Sequence, residues 1–283
     1  MKAQIRDFRI CEKSGSGMKK IVFFDADGTI LDIKKGVPDS AKKAVRRLVE
    51  NGHDAFLCTG RAFSFVPDEV KRMAFTGMIA NCGAYIEYRK KVLLDKEMTP
   101  KEARLSAEIL RSCGMIPVME GTHFMYYDKE EYTNDVDWFA ELITKQLGEK
   151  WKPIKGNEDA MHIAKISAKV RPGCAEQRAY EELSPYYDYV KHEEGMAGGT
   201  VEFVKKGFSK GFAIALVCGV LGYEKEDTVC FGDSNNDISM FEVTGTGVAM
   251  GNASPEIIKR AALITEDMFH DGIYLGLERL GLI

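Results

Sequence analysis

Two aspartates, Asp25 and Asp27, stand one residue apart directly after the apolar run IVFF (21–24). Two more, Asp233 and Asp237, belong to the segment GDSNND, which follows the apolar run TVCF. Two carboxylates about 4 Å apart repel by about 4 kcal/mol at an effective dielectric constant of about 20. Four carboxylates brought together would therefore need a cation. Oxygen ligands without a matching His or Cys favour Mg²⁺ over Zn²⁺, and Mg²⁺ usually shares its ligands with a phosphate.

The acidic spacing does not fit a calcium loop or simple capping. A calcium loop of the EF-hand type needs Gly at position 6 and Glu at position 12. Counting from Asp25, these positions hold Ile30 and Gly36, and the loop counted from Asp233 also lacks both. Capping of helices and turns explains any one of the aspartates. It does not explain why all the loops that follow the apolar runs are acidic or suited to phosphate.

Short apolar runs alternate with amphipathic stretches near both ends of the chain. The runs predict strands buried on both faces, as in a parallel sheet. Apolar residues spaced at i, i+3, i+4 and i+7 after Asp39 and Ser40 predict a helix that one of these two residues caps. The predicted strands are IVFF (21–24), AFLC (55–58), MIAN (78–81), TVCF (228–231), GVAM (247–250) and LIT (263–265), and two later helices are predicted over 209–220 and 254–262.

The segment between 86 and 204 differs in composition, with more Tyr, Met and Glu. Strand-like pieces occur within 123–127, 164–170 and 200–204, and helical patterns over 100–114 and 136–148. We therefore predict an α/β fold with a doubly wound, parallel Rossmann-like core over 19–85 and 205–283 and an inserted α+β cap domain over 86–204. Residues 1–18, which include SGSG, are predicted to form a flexible extension.

The loops after the predicted strands are expected to converge. In a doubly wound sheet, ligands bind beyond the carboxyl ends of the strands, where the strand order reverses. DADGT, TGR and GDSNND each follow such a strand, and TGR adds the hydroxyl of Thr59 and the backbone of Gly60. The sequence thus predicts one pocket for Mg²⁺ and a small phosphorylated molecule.

These three segments, together with an isolated Lys that precedes the last of them, resemble the four motifs of the haloacid dehalogenase superfamily of phosphohydrolases. The continuation GVAMGNASPEIIKRAALIT with Asp271-Gly272 resembles the Cof-like subfamily. Members of that subfamily are bacterial sugar-phosphate phosphatases with a large α/β cap between the second and third motifs. The resemblance covers both predicted core segments, whereas in the cap it is one of position and size.

The resemblance implies a role for each motif. Asp25 would be the nucleophile that takes the phosphoryl group, and Asp27 would be the general acid and then the general base. The carboxylates of Asp25 and Asp233 and the carbonyl of Asp27 would hold Mg²⁺, and Asp237 would orient these neighbours without binding the metal itself. The groups that bind phosphate oxygens would be the amides of Ala26 and Gly60 and the side chains of Thr59, Lys210 and Asn236.

The segment KKGFSKG offers three lysines for the phosphate-binding role. Ser209 is expected to be a helix N-cap, so that Lys210 would lie in the first turn of the helix. A Lys there faces the positive end of the helix dipole unless an anion is present, and a bound phosphate would supply that anion. We therefore choose Lys210 and interpret Lys205 and Lys206 as solvated surface residues.

Several remaining positions can be interpreted in two ways. The family's Asn-Gly-Ala hinge into the cap appears here as Asn81-Cys82-Gly83-Ala84, and the added Cys82 is expected to change only the packing of the turn. Arg61 would either reach the substrate or pair with an acidic neighbour. Five polar residues of the cap are candidates for substrate selection, although ordinary surface or core packing is preferred for each: His123, Tyr126, His162, Arg171 and Glu202.

Several classes of function are disfavoured by composition. A net charge of −4, without a dense Lys/Arg tract, argues against binding of nucleic acid. The longest apolar run, 211–222, is shorter than the roughly 20 residues that span a membrane. Seven cysteines without a C-x-x-C pair indicate buried thiols in a reducing, cytoplasmic setting.

The predicted function is that of a Mg²⁺-dependent phosphatase acting on small phosphorylated metabolites, foremost sugar phosphates, through an aspartyl-phosphate intermediate. A phosphomutase of sugar phosphates would use the same core and is the alternative. A non-catalytic sensor of phosphorylated ligands is disfavoured because both Asp25 and Asp27 are present.

Overall fold

The computed structural model describes residues 19–132, 144–195 and 198–283. The predicted extension over 1–18 lies outside these residues, as does most of the helix predicted over 136–148. The chain forms two compact units. The first consists of the residues up to Gly60, Pro67–Leu94 and Ser209–Ile283, and the second consists of Arg61–Val66 and Asp95–Phe208.

Strands and helices alternate along most of the chain. The strands are β1 (Ile21–Phe24), β2 (Asp54–Cys58), β3 (Gly77–Ala80), β4 (Tyr85–Tyr88), β5 (Lys91–Asp95), β6 (Ile116–Glu120), β7 (Met125–Tyr126), β8 (Trp151–Lys152), β9 (Lys165–Lys169), β10 (Tyr187–Gly195), β11 (Gly198–Lys205), β12 (Thr228–Gly232), β13 (Thr246–Ala249) and β14 (Leu263–Ile264). The helices are α1 (Asp39–Glu50), α2 (Asp68–Lys71), α3 (Pro100–Ser112), α4 (Glu176–Leu183), α5 (Lys210–Leu221), α6 (Ile238–Val243), α7 (Pro255–Ile258) and α8 (Gly272–Arg279). None of the described helices combines the length and the apolar character that crossing a membrane requires.

The first unit is built on one sheet with the strand order β14-β13-β12-β1-β2-β3-β4-β5. β1 is central and runs parallel to both β12 and β2, whereas β4 is antiparallel to β3. Every residue of β1, β2 and β12 is buried, as expected for strands covered on both faces. The predicted doubly wound, parallel core is confirmed. Its sheet continues through β5, so the first unit extends to Leu94, past the predicted boundary at residue 85.

Helices cover both faces of this sheet. On one face, Val217 of α5 and Met240 of α6 belong to the same apolar cluster as Phe23 and Phe56. On the other face, Gly276 of α8 approaches β12 so closely that a β-carbon there would lie 2.5 Å from the ring of Phe231. The central strands are therefore held from both sides, which fixes the positions of the loops that follow them.

The predicted first helix is confirmed, but its predicted cap is wrong. The N-cap is Pro38, with φ −59° and ψ 142°, and no side chain caps the helix. Proline fixes φ near this value and brings the chain into the first turn from extended backbone. Asp39 is instead the acidic residue of the first turn. Four residues of the predicted apolar face, Ala41, Ala44, Val45 and Leu48, are buried, whereas the fifth, Val49, is only half-buried.

The helix predicted to reach residue 262 is shorter than expected, because α7 ends at Ile258. The amide of Ala262 donates to the carbonyl of Gly247 at 2.9 Å, and β14 then pairs with β13. Of the residues assigned to the last helical turn, Ala262 therefore joins the edge of the sheet, whereas the amides of 259–261 still donate to carbonyls of α7.

The second unit is an α+β arrangement, as predicted. Its sheet has the order β10-β11-β9-β6-β7-β8. Neighbouring strands are antiparallel from β10 through β7, and β7 is parallel to β8. One face carries a core that includes Leu110 of α3, Leu183 of α4, Ile166 of β9 and Phe203 of β11. This unit therefore has its own hydrophobic core.

Truncation of Leu48 to alanine tests the packing of α1. Leu48 is fully buried, so Leu48→Ala should lower the free energy of unfolding by about 2–5 kcal/mol, measured by chemical denaturation. The neighbouring Val49→Ala, at a half-buried position where alanine has the higher helix propensity, should change it by less than about 1 kcal/mol. Equal effects of the two changes would contradict the assigned face of α1.

Candidate active site

Three adjacent parallel strands end at one edge of the sheet. Phe24, at the end of β1, is in register with Leu57 of β2 and Phe231 of β12. The amide of Asp25 continues the ladder by donating to the carbonyl of Phe231 at 3.0 Å. The loops DADGT, TGR and GDSNND therefore begin side by side, as the strand pattern predicted.

Three of the four predicted carboxylates form a tight group. Oxygen atoms of Asp25, Asp233 and Asp237 all lie within 4.8 Å of one another. Asp25 and Asp237 are buried, and Asp233 is half-buried. Asp27 differs from them because its side chain is exposed. The two aspartates of DADGT thus lie in different surroundings although one residue separates them.

The side chain of Lys210 is buried among these carboxylates. Its Nζ lies 2.5 Å from Oδ1 of Asp25 and 2.6 Å from Oδ1 of Asp237, and it donates to Oδ1 of Asn236 at 3.1 Å. The predicted N-cap of α5 is confirmed, since Oγ of Ser209 accepts a hydrogen bond from the third residue of the helix at 3.0 Å. The first turn of α5 therefore presents Lys210 to the acidic group.

Burial and mutual repulsion perturb the ionisation of this group. Burial, followed by the charge of Asp237, raises the pKa of Asp25 well above its ordinary value, and Lys210 partly offsets this. Burial and the charge of Asp237 raise the pKa of Asp233 to about 7, although a hydrogen bond from Thr29 acts in the opposite direction. Burial alone would lower the pKa of Lys210, but Asp237 and Asp25 raise it well above its ordinary value.

These donors fit a hard divalent cation. The oxygens of three carboxylates converge, and Lys210 does not offset the rise that burial and the charge of Asp237 cause in the pKa values of Asp25 and Asp233. A cation bound between them would favour the ionised forms. The ligand atoms are oxygens only, the set that Mg²⁺ and Ca²⁺ prefer.

The loop after β1 is shaped to meet Asp233. Gly28 has φ +83°, and a β-carbon on it would lie 2.3 Å from Oδ2 of Asp233. Thr29 is buried and its hydroxyl donates to Oδ1 of Asp233 at 3.1 Å. Nδ2 of Asn252 lies 3.0 Å from the carbonyl of Gly28 and 3.3 Å from Oδ2 of Asp233.

Sequence reasoning assigned no role to Thr29 or Asn252. Thr29 lies within the DADGT segment, and Asn252 follows the strand next to β12. The same reasoning about strand ends, applied to β13 as well, would have brought Asn252 into the group of candidates. A neutral amide carries no charge signal, and only the fold shows that it reaches Asp233.

The TGR loop lies against the hinge segment. Thr59 is buried, and its amide donates to the carbonyl of Ile79 at 2.9 Å. The carbonyl of Gly60 accepts a hydrogen bond from Sγ of Cys82 at 3.6 Å. Both Asn81 and Cys82 have positive φ, as does the glycine that follows them. The inserted Cys82 therefore contacts the predicted phosphate-binding loop.

The two lysines set aside in favour of Lys210 lie in the second unit. Nζ of Lys205 is 3.8 Å from Oε1 of Glu102, and Lys206 is exposed. Arg61 also belongs to the second unit, where its guanidinium lies 4.8 Å from the ring centre of Phe65.

The five candidate residues of the second unit differ in exposure. His123, His162 and Arg171 are exposed, and Nδ1 of His162 lies 2.9 Å from Glu97. Tyr126 belongs to the hydrophobic core of the unit. Glu202 is half-buried, and its Oε1 accepts a hydrogen bond from Nζ of Lys165 at 2.7 Å.

A family model described as haloacid dehalogenase-like hydrolase matches residues 22–277. The chain belongs to this family. The hydrolase is 28% identical over 266 residues to YkrA, a Bacillus subtilis protein named as a phosphatase, and the match covers 93% of this chain and 98% of that protein. It is 27% identical to the pyridoxal phosphate phosphatase YbhA of Escherichia coli, with 90% of this chain and 96% of that protein covered.

A solved structure shows the same fold in a related chain. The crystal structure of a Geobacillus kaustophilus protein superposes on this hydrolase with a TM-score of 0.78 and 30% sequence identity. The superposition covers 94% of this chain and 100% of that one. The likeness therefore includes both compact units.

Replacement of Gly28 tests the close approach of the first loop to Asp233. Gly28→Ala and Gly52→Ala both place a side chain at positive φ and should each cost about 1–2 kcal/mol of stability. Gly52 has no atom within 4 Å of an added β-carbon, whereas at Gly28 the carboxylate of Asp233 must move. Only Gly28→Ala should therefore reduce hydrolysis of p-nitrophenyl phosphate, by roughly tenfold or more. Equal activity of the two variants would contradict the contact with Asp233.

Proposed function

We propose that this hydrolase is a Mg²⁺-dependent phosphatase that cleaves small phosphorylated metabolites through an aspartyl-phosphate on Asp25. Relatives of this chain are named as phosphatases, which are phosphoric monoester hydrolases. The observation that carries the mechanism is the buried Asp25 carboxylate, which lies 2.5 Å from Nζ of Lys210 at the meeting point of three strand-end loops. The nearby Lys210 lowers the pKa of Asp25 against the effect of burial and so favours the ionised nucleophile.

The first chemical step would transfer the phosphoryl group to the protein. An oxygen of Asp25 attacks phosphorus while the bond from phosphorus to the alcohol oxygen breaks, and the leaving oxygen takes a proton from Asp27. Asp27 is exposed and separated from Asp25 by one residue, so its carboxyl group can meet the leaving alcohol. The different exposure of the two side chains suits this division of work, because the buried Asp25 attacks phosphorus and the exposed Asp27 meets the leaving group.

The second step would return Asp25 to its free state. Asp27, now ionised, takes a proton from a water molecule, and the water oxygen attacks phosphorus. The bond from phosphorus to Asp25 breaks and inorganic phosphate leaves. Five groups are proposed to hold the phosphate oxygens in both steps: the amides of Ala26 and Gly60 and the side chains of Thr59, Lys210 and Asn236.

Mg²⁺ would be held by the carboxylates of Asp25 and Asp233 and the carbonyl of Asp27. When bound, it would neutralise negative charge on the transferring phosphoryl group. Asp237 is proposed to orient Asp233 and Lys210 without binding the metal itself. Its Oδ2 accepts hydrogen bonds from the amides of Asp233 and Ser234 at 3.0 and 3.2 Å, and its Oδ1 contacts Lys210.

Sugar phosphates are the proposed substrates, in keeping with the resemblance to the Cof-like subfamily. Pyridoxal phosphate is a second candidate because the relative YbhA is named for it. Both are compact phosphoric monoesters whose leaving group is an alcohol, which Asp27 would protonate.

Substitution of the proposed nucleophile tests the mechanism. Asp25→Asn keeps the size of the side chain but removes the attacking carboxylate, so hydrolysis of p-nitrophenyl phosphate should fall below detection. Asp39→Asn changes a fully exposed carboxylate of the same unit and should leave the rate unchanged. Circular dichroism should show both variants folded. Substantial hydrolysis by folded Asp25→Asn protein would refute the assignment.

A panel of phosphorylated metabolites tests the substrate class. Inorganic phosphate should be released from hexose phosphates or pyridoxal phosphate in the presence of Mg²⁺, and a chelator should abolish the release because the carboxylates then lack their cation. Conversion of a hexose phosphate into its isomer without release of phosphate would indicate a mutase instead. Full activity in the chelator would contradict the proposed role of Mg²⁺.

A further inference from the structure

Asn252 connects the two loops that carry the proposed metal ligands. Its Nδ2 lies 3.0 Å from the carbonyl of Gly28, in the loop after β1, and 3.3 Å from Oδ2 of Asp233, in the loop after β12. Thr29 donates to Oδ1 of the same carboxylate. Both oxygens of Asp233 therefore face a neutral hydrogen-bond donor, one from each side.

The loop that carries Asn252 is held by its backbone. The amide of Met250 donates to the carbonyl of Gly232 at 3.1 Å, and the amide of Ser254 donates to the carbonyl of Asp233 at 2.7 Å. The amide of Gly251 donates to the carbonyl of Glu266 at 3.1 Å. These bonds tie both sides of Asn252 to the fold, so its side chain reaches Asp233 from a fixed position.

The carboxylate of Asp233 needs such support. One of its oxygens lies within 4.8 Å of carboxylate oxygens of Asp25 and Asp237, and Asp233 is only half-buried. A side chain in this situation is pushed away from the acidic group unless hydrogen bonds hold it there. Donors to both carboxylate oxygens, from different loops, restrict its rotation.

We propose that Asn252 is a positioning residue that orients the Asp233 carboxylate toward the cation site and fixes its distance from the loop after β1. This inference rests on the proposed function, in which Asp233 binds Mg²⁺. Asn252 itself is neither a metal ligand nor a participant in phosphoryl transfer. It acts through Asp233 and Gly28, in the manner of the outer partners that hold ligating carboxylates in other metal sites.

The test measures metal binding in the absence of substrate. Mg²⁺ is titrated into chelator-treated wild-type protein, Asn252→Ala and Asn51→Ala by isothermal titration calorimetry. Asn51 is the matched control, because its Nδ2 also donates to a backbone carbonyl of a distant segment of the same unit, that of Leu282 at 2.9 Å. Thermal unfolding of the metal-free proteins shows whether each variant remains folded.

Asn252→Ala should raise the dissociation constant for Mg²⁺ roughly tenfold, the effect typical of losing an outer partner of a metal ligand. Asn51→Ala should stay within about twofold of wild type, because distant changes act independently. In steady-state assays, Asn252→Ala should need roughly tenfold more Mg²⁺ for half-maximal phosphate release, while the KM for the ester at saturating Mg²⁺ stays within about twofold.

Three outcomes would overturn the inference. These are an unchanged dissociation constant in Asn252→Ala, an equal loss of affinity in both variants, and a wild-type protein that binds no Mg²⁺. A different outcome would overturn the proposed phosphatase function without overturning the positioning role of Asn252. If Asn252→Ala weakens Mg²⁺ binding but the wild-type protein releases phosphate from no ester, the positioning role stands and the phosphatase proposal falls.

Discussion

The first unit depends on a buried ammonium group held between two buried carboxylates. Lys210 and its partners Asp25 and Asp237 are each at most 3% exposed. Removing such charges from water costs several kcal/mol for each ion, and only close pairing with good hydrogen bonds compensates that cost. The end of β1, the start of α5 and the loop after β12 must therefore meet with little freedom. The helices on both faces of the sheet hold these segments in place.

The same cluster remains acidic after this pairing. Lys210 supplies one positive charge to a group of three carboxylates, and burial, followed by the charge of Asp237, still raises the pKa values of Asp25 and Asp233. If stability alone determined the residues here, apolar side chains would be expected in place of these charged groups. Their retention at the carboxyl ends of parallel strands is what a site for a cation and an anionic ligand requires.

Much of this architecture could be predicted from the sequence. Unbroken apolar runs mark β1, β2 and β12, and the rule that ligands bind at the carboxyl ends of parallel strands brings Asp25, Thr59 and Asp233 to one edge. The preference for an anion near the positive end of a helix favours Lys210 over Lys205 and Lys206. The structure places Lys210 against Asp25. These features follow from local patterns combined with one topological rule.

Other features depend on contacts between distant segments. The bond from Ala262 to Gly247 on β13 draws the end of the predicted last helix toward the sheet, which helical periodicity does not reveal. Asn252 reaches Asp233 because β13 lies beside β12, and an uncharged side chain gives no sign of this in a linear pattern. Pro38 takes the cap position that the sequence assigns to Asp39 or Ser40, and its own φ of −59° and ψ of 142° bring the chain into the helix without a side-chain cap.

The central place of β1 also has a consequence for the order in which the protein is made. β1 leaves the ribosome before the second unit, but one of its two neighbours, β12, is synthesised only after the whole second unit. Asp25 and Lys210 are 185 residues apart in sequence. Until the last third of the chain emerges, one edge of β1 has no partner and Asp25 has no counter-ion. Domains generally fold as units during synthesis, so the second unit, with its own core, can fold first. The active site then forms only after the second unit.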